Sequence, residues 1–174
     1  QQDLIFLDPA RRDDAGRKVV ALSDCSPDVA ALSPALLSRS CVVMVKLSPM
    51  LDIGQALLSL HAVREVHTVS VDGECRELLL VLAAGECRPA YHCVNLGRHP
   101  QSFVTSERHA QPRIAGAPGQ FLYEPNASIL KAGVQDALCE SMDVSKLHPF
   151  SHLFTSDILR QNFPGRSFRV DGIS

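Results

Sequence analysis

No stretch of this 174-residue sequence is apolar for long enough to cross a bilayer. The longest runs, such as Leu78 to Ala84, fall far short of the ~20 residues that a membrane helix needs. The sequence opens Gln-Gln-Asp, with no basic segment or apolar segment behind it that would read as a secretory leader. It also lacks an initiator Met, which suggests a piece cut from a longer chain. Charge of one sign is missing too: 17 Lys and Arg face 19 Asp and Glu, for a net charge of −2 and a pI near 6.4. Bulk electrostatics therefore do not drive this chain onto nucleic acid or membrane, although a local patch can still bind phosphate. None of the six cysteines (Cys25, Cys41, Cys75, Cys87, Cys93, Cys139) falls in a CxxC pair. Zinc-site spacing and a disulfide framework are both absent, and reduced thiols in a cytoplasmic protein are expected.

What is present is a core. Hydrophobic residues make up 45% of the chain, enough to bury a substantial interior and to argue against global disorder. Leu4 to Leu7 reads as a short buried strand that runs into a polar loop, "DPARRDDAGRK". From Pro27 to Leu37 the apolar residues fall mostly at helical spacing, and Pro34 is expected to split the stretch into two short helices. Cys41 to Leu47, "CVVMVKL", is a second continuous apolar strand that ends in "KLSPMLD", followed by a helix from Ile53 to Leu60. Val63 to Val71 is a third strand, with Val66, Thr68 and Ser70 alternating against His67, Val69 and Val71. Strands and helices in alternation predict an α/β fold with a parallel sheet. Glu77 to Ala83 and Ala90 to Leu96 are joined by a short Gly- and Pro-bearing turn, which predicts an antiparallel pair at the sheet edge.

Residues 98–119 hold three prolines and little periodicity, and read as a linker between a first unit (1–97) and a small second unit (120–170). The local basic residues Arg98, His99, Arg108, His109 and Arg113 sit around it, as on a solvated loop. In the second unit Asn126 is placed to cap a helix with its apolar face at Ile129, Leu130, Val134, Ala137 and Leu138. Gly133 within that helix suggests close packing. A strand near Leu153-Phe154, a helix from about Asp157 and a strand from Ser167 to Val170 complete it.

Two buried strands ending in Asp-Pro and Lys-Leu-Ser-Pro place both loops on one carboxyl edge of the sheet, where open α/β sheets bind ligands. Asp8, Arg11, Arg12, Lys46 and Ser48 then converge on one crevice, its loops stiffened by Pro9 and Pro49. An architectural Asp8–Lys46 ion pair is the competing account. His148 and His152 are four apart, but Pro149 and the missing carboxylate argue against a metal helix, so no metal site is expected.

"IFLDPARR" resembles the loop after the fourth strand of class I S-adenosylmethionine-dependent methyltransferases, where an Asp-Pro segment faces the substrate. Together, "LDPARR", "VKLSPMLD", "YEPNASILKAG", "LHPFSHLFTSD" and "NFPGR" resemble bacterial methyltransferase-like proteins. In that family a Rossmann-like core is followed by a ferredoxin-like segment and a THUMP-like module. The resemblance implies the second half of a methyltransferase sheet plus a small α+β, ferredoxin-like segment. It implies Asp8 and Lys46 in catalytic positions, and Pro9, Arg11, Arg12, Ser48 and Pro49 against the substrate. S-adenosylmethionine is the implied cofactor of the complete protein and RNA the implied partner. The Gly-rich loop that holds the cofactor would lie before Gln1, so the chain alone is expected to be inactive and not to hold the donor tightly. Ala10 and Arg11 stand where amino-group methyltransferases carry a stacking aromatic. The second loop, Lys46-Leu47-Ser48-Pro49, has no cysteine for a covalent uracil route. What remains is orientation of a nucleophile, with Asp8 accepting a hydrogen bond and Lys46 or Arg11 meeting an anionic substrate. A non-catalytic RNA- or protein-binding module on the same scaffold is the alternative. The unpaired outer edge of the first strand is expected to be covered by a second copy or by rearranged termini.

Overall fold

The computed structural model describes residues 2–10, 22, 25–85 and 88–172. Six strands form one mixed sheet: β1 (Gln2–Leu7), β2 (Ser40–Leu47), β3 (Val63–Val71), β4 (Glu74–Ala83), β5 (Ala90–Leu96) and β6 (Gln101–Thr105). They lie in the order β1-β2-β4-β3-β5-β6. β1 pairs with β2 in parallel, as does β3 with β5, while β4 and β6 run the other way.

β4 departs from the expected pairing with β5. Asp72 and Gly73, at φ 51 and 80, form a tight two-residue turn with both central residues left-handed. That turn matches the twist of flanking strands and folds β4 straight back along β3. β4 is thus inserted between β2 and β3, and β5 pairs with the far side of β3. The antiparallel edge is supplied instead by β6, which lies within the stretch expected to be a linker.

Register places most of the buried strand residues on one face of this sheet, with Ser40 and Val81 as exceptions on the other. Val43, Val45 and Leu47 face Leu82, Leu80 and Leu78, which lead on to Val66, Thr68, Tyr91, Cys93 and Phe103. The helix α1 (Val29–Leu37) packs against β2 on this side. It is one helix, not two: Pro34 removes a backbone donor, and Ser33 Oγ donates to the Ala30 carbonyl that this donor would have met, at 3.1 Å. Asp28 caps its start by accepting from the amides of Ala30 and Ala31. The second helix, α2 (Ile53–Ser59), is capped by Asp52 in the same way, through the amide of Gln55 at 2.8 Å. The opposite face of the sheet carries no helix among the described residues. It presents Leu4, Phe6 and Val104 half-exposed, in line with Met44, Leu79, Val69 and Val94.

The second sheet is antiparallel throughout, in the order β10-β7-β9-β8: β7 (Phe121–Pro125), β8 (Ser145–Lys146), β9 (Phe154–Ser156) and β10 (Gly165–Arg169). The helix expected across residues 126–138 is interrupted. α3 (Ala127–Ala132) ends at Gly133, whose φ of 70 makes it a left-handed C-cap, where glycine carries no Cβ penalty. A 3-10 turn (Gln135–Ala137) leads into α4 (Leu138–Ser141). Asn126 occupies the cap position of α3, but its side chain donates to Gln101 Oε1 at 2.7 Å instead of capping. Residues 157–164 are turns without a helix.

α3 packs on β3, β4 and β5, covering the buried face of the larger sheet. Thr68 Oγ1 donates to the Ser128 carbonyl at 2.9 Å within that contact, so the buried hydroxyl is satisfied. Val66, Leu80, Tyr123, Ile129, Leu138, Phe154 and Phe163 belong to one continuous core. None of the described helices is long and apolar enough to cross a membrane.

Candidate functional site at the strand ends

Because β1 and β2 are parallel neighbours, their carboxyl ends open on the same edge of the sheet. Phe6 lies opposite Met44 and Leu7 opposite Val45, which brings the next residues, Asp8 and Lys46, together. Lys46 Nζ donates to Asp8 Oδ2 at 2.9 Å. The side chains keep 26% and 47% of their surface, so an incoming group can still reach either of them. Pro9 is buried behind them. The chain then turns back, with Ala10 and Ser26 exchanging backbone hydrogen bonds at 2.8 and 3.2 Å. Arg11 and Arg12 lie outside the described residues.

The second loop is self-contained. Ser48 Oγ accepts from the Met50 amide at 3.2 Å and the Ser48 carbonyl accepts from Leu51 at 3.1 Å, with Pro49 half-buried between them. Ser48 therefore shapes the turn. The Leu51 carbonyl is held in turn by Lys131 Nζ at 2.8 Å, which ties this loop to α3.

The basic residues grouped along the expected linker separate into different roles. Arg113 is structural: its guanidinium donates to Ser145 Oγ, Asp143 Oδ1 and the carbonyls of Cys139 and Val144. Arg108 lies over the left-handed end of α3 and beside Gly54. Tyr91 is below it, with its phenol pushed up by burial and partly drawn back by the Arg108 charge and hydrogen bond. Arg98 and His99 instead line a cleft of about 800 Å³ beyond the carboxyl ends of β3 and β5, together with Asp72, Asn95, Gln101 and Arg166. Arg166 is paired there with Glu124.

One polar cluster, on the open face, does not show in the sequence as a group. Glu65 Oε2 meets His67 Nε2 at 2.7 Å and stands 4.0 Å from His92 Nε2. The two imidazoles stack at 4.4 Å between centroids and 7° between planes. Glu65 and His67 share a face because strand side chains repeat every two residues, and His92 stands opposite His67 in the parallel register. Glu-x-His on a strand was legible; the partnership with His92 needed that register. The pair considered from sequence behaves otherwise: His148 Nδ1 accepts from the Phe150 amide, and its ring tilts against Phe150.

Comparison with known proteins gives the scaffold a likeness. Residues 121–164 match a family of ferredoxin-like domains. A solved structure described as a "putative methyltransferase from Porphyromonas gingivalis W83" superposes with a TM-score of 0.84 at 35% sequence identity. That match covers 98% of this chain and 43% of the other, so the chain spans less than half the length of the protein it resembles. No curated protein matches it. The scaffold is methyltransferase-like, joined to a ferredoxin-like unit.

Proposed function

We propose that this methyltransferase-like scaffold carries the acceptor-side part of an S-adenosylmethionine-dependent methyltransferase acting on RNA, within a longer protein. The observation that carries the reading is the Asp8–Lys46 pair, set at the shared carboxyl edge of two parallel strands and half open to solvent. Asp8 would accept a hydrogen bond from the group to be methylated and hold its lone pair toward the donor. Lys46 would then exchange Asp8 for an anionic substrate group such as a phosphate, and Arg11 and Arg12, which follow closely in the sequence, are the further cations proposed for it.

The described residues do not form a cradle for the methyl donor. Of the described glycines at positive φ, Gly73 makes the β3–β4 turn, Gly133 caps α3, Gly85 follows β4, and Gly97 follows β5 in the connection to β6. None opens a helix directly after a parallel strand, the arrangement that binds nucleotide-like cofactors. No step is therefore assigned to the donor here. The residues of this chain bind and orient the acceptor.

The test is methyl transfer from labelled S-adenosylmethionine to bulk cellular RNA by the full-length protein. Asp8→Ala should lower turnover by about 100-fold, the cost of a misplaced reacting group, with the fold intact by circular dichroism. Lys46→Ala should act mainly through substrate affinity. Wild-type turnover in both variants would remove the assignment.

A second reading, a binding module without chemistry, is favoured by one fact: Asp8 and Lys46 already satisfy each other at 2.9 Å, as an architectural pair would. RNA retention by a wild-type protein with no turnover would support it.

A further inference from the structure

The Glu65, His67 and His92 cluster has no part in the reading above, and its chemistry points elsewhere. We propose that it is a binding site for one divalent first-row transition metal ion of the zinc class, with two imidazoles and one carboxylate as ligands and an open position facing solvent.

Three observations carry this. The donor atoms, Glu65 Oε2 and the Nε2 atoms of His67 and His92, all lie within 4.8 Å of one another. Among the described residues this is the one such group of His, Cys, Asp or Glu that comes together. Two ligands on a single zinc-class ion, each bonded at about 2.0–2.2 Å, sit about 3.3 Å apart. The observed 2.7 and 4.0 Å from the carboxylate bracket that spacing. A swing of the carboxylate toward His92, by about 1 Å or less, would bring both close to the required separation.

The second observation is orientation. Parallel strands in register present His67 and His92 side by side, with their rings in parallel planes and both Nε2 atoms on the side of the same carboxylate. Rotation of the imidazoles out of the stack would turn both in-plane lone pairs onto one ion and close the spacing between their Nε2 atoms. A strand pair fixes this spacing through its backbone, so the ligands are pre-set on rigid elements and not on loops.

Third, the surroundings are apolar. The cross-strand neighbours of Glu65 are Val81 and Ala90, that of His67 on β4 is Leu79, and that of His92 on β6 is Val104. Among the described residues, His92 makes no polar side-chain contact shorter than its 4.0 Å approach to Glu65. A half-buried imidazole without a hydrogen bond at its ring nitrogen gains more from a ligand bond than from its present neighbours. Nitrogen with carboxylate oxygen suits zinc, cobalt and nickel and is a poor match for magnesium or calcium, which prefer all-oxygen sites. The side chains remain between 26% and 42% exposed, which leaves an entry path and a free coordination position.

The experiment uses the 174-residue chain without an affinity tag, stripped by chelator and kept reduced. It is titrated with Co²⁺ by absorption spectroscopy and with Zn²⁺ by calorimetry. The expected result is one equivalent of each ion, with visible cobalt bands and no ultraviolet thiolate-to-cobalt charge transfer. His92→Ala and Glu65→Gln should each weaken binding by at least the factor of about 10–100 seen for outer-shell changes. His148→Ala should leave it unchanged. A thiolate band, no stoichiometric binding, or unchanged affinity in a folded His92→Ala and Glu65→Gln pair would overturn the site. Because the ligands are half-exposed, both variants are expected to fold, and far-ultraviolet circular dichroism checks this.

Discussion

Burial decides which ionisable groups of this chain can react. Cys93 illustrates it: the thiol lies on the covered face of β5, beneath α3, where removal from water raises its pKa from 9.0 to about 11. Near-neutral pH therefore leaves it protonated and a poor nucleophile. The linkage has a definite sign. Folding holds the proton more tightly than the unfolded chain does, so the stabilising contribution is complete below pH 9.0 and is lost as pH rises through about 11. Two measurements check this. Thiol alkylation followed by peptide mapping should leave Cys93 unlabelled in the native chain at pH 8 and label it in denaturant. Thermal stability should fall between pH 9 and 11, and Cys93→Ala should flatten part of that fall. Labelling of Cys93 in the folded chain at pH 8 would contradict its burial. The same rule separates the two polar clusters: Asp8 and Lys46, like Glu65 and the two histidines, keep enough surface to meet a ligand.

At the scale of elements, what the sequence made legible followed the period of its side chains. Val63–Val71 and Ala90–Leu96 were readable to the residue, because apolar runs bounded by turn residues leave little freedom. Asp8 and Lys46 were placed together correctly for the same reason: both end apolar runs, and consecutive buried strands in an α/β chain pair in parallel. The order of the strands was not legible from runs alone. Asp72-Gly73 carries the strongest short hairpin signal in the chain, yet the Gly- and Pro-bearing turn further on drew attention to the wrong pair. Pro34 failed as a helix breaker because Ser33 supplies the missing hydrogen bond locally. The Glu65–His67–His92 cluster depended wholly on that strand order. Two glycines test how tightly elements are pinned. A Cβ on Gly165 would meet the Glu124 carbonyl oxygen at 2.1 Å, where β10 lies against β7. Gly165→Ala should therefore force the strands apart and cost about 3 kcal/mol in a urea melt, as over-packing does. Gly73→Ala meets nothing within 4 Å and bears only the left-handed backbone cost, about 1–2 kcal/mol. Equal losses in the two variants would mean that contact between β10 and β7 is not what limits the first.

At the scale of the whole molecule, the question is whether the two sheets melt together. The ferredoxin-like unit contributes α3 as the lid on the larger sheet, and Ile129 and Tyr123 share a core with Val66 and Leu80. Lys131 and Asn126 cross the same boundary, reaching the Leu51 carbonyl and the Gln101 amide. Removing the smaller unit would bare the covered face of β3, β4 and β5, so neither part can lose structure without costing the other apolar burial. The chain carries its own reporters for this, because it has two tyrosines and no tryptophan. Tyr91 sits in β5 of the larger sheet and Tyr123 in β7 of the smaller one, where its hydroxyl bonds Ser156 at 2.8 Å. In Tyr91→Phe the fluorescence reports the smaller sheet alone, and in Tyr123→Phe the larger. Each variant should melt with its fluorescence and far-ultraviolet transitions superimposed, at one midpoint within that variant. Ile129→Ala should lower that midpoint for both reporters, through a loss of about 2–5 kcal/mol typical of a large-to-small change in a closed core. A tyrosine signal that moves ahead of the backbone signal in either variant would show that the units unfold separately, and would return the contact made by α3 to the status of a loose docking.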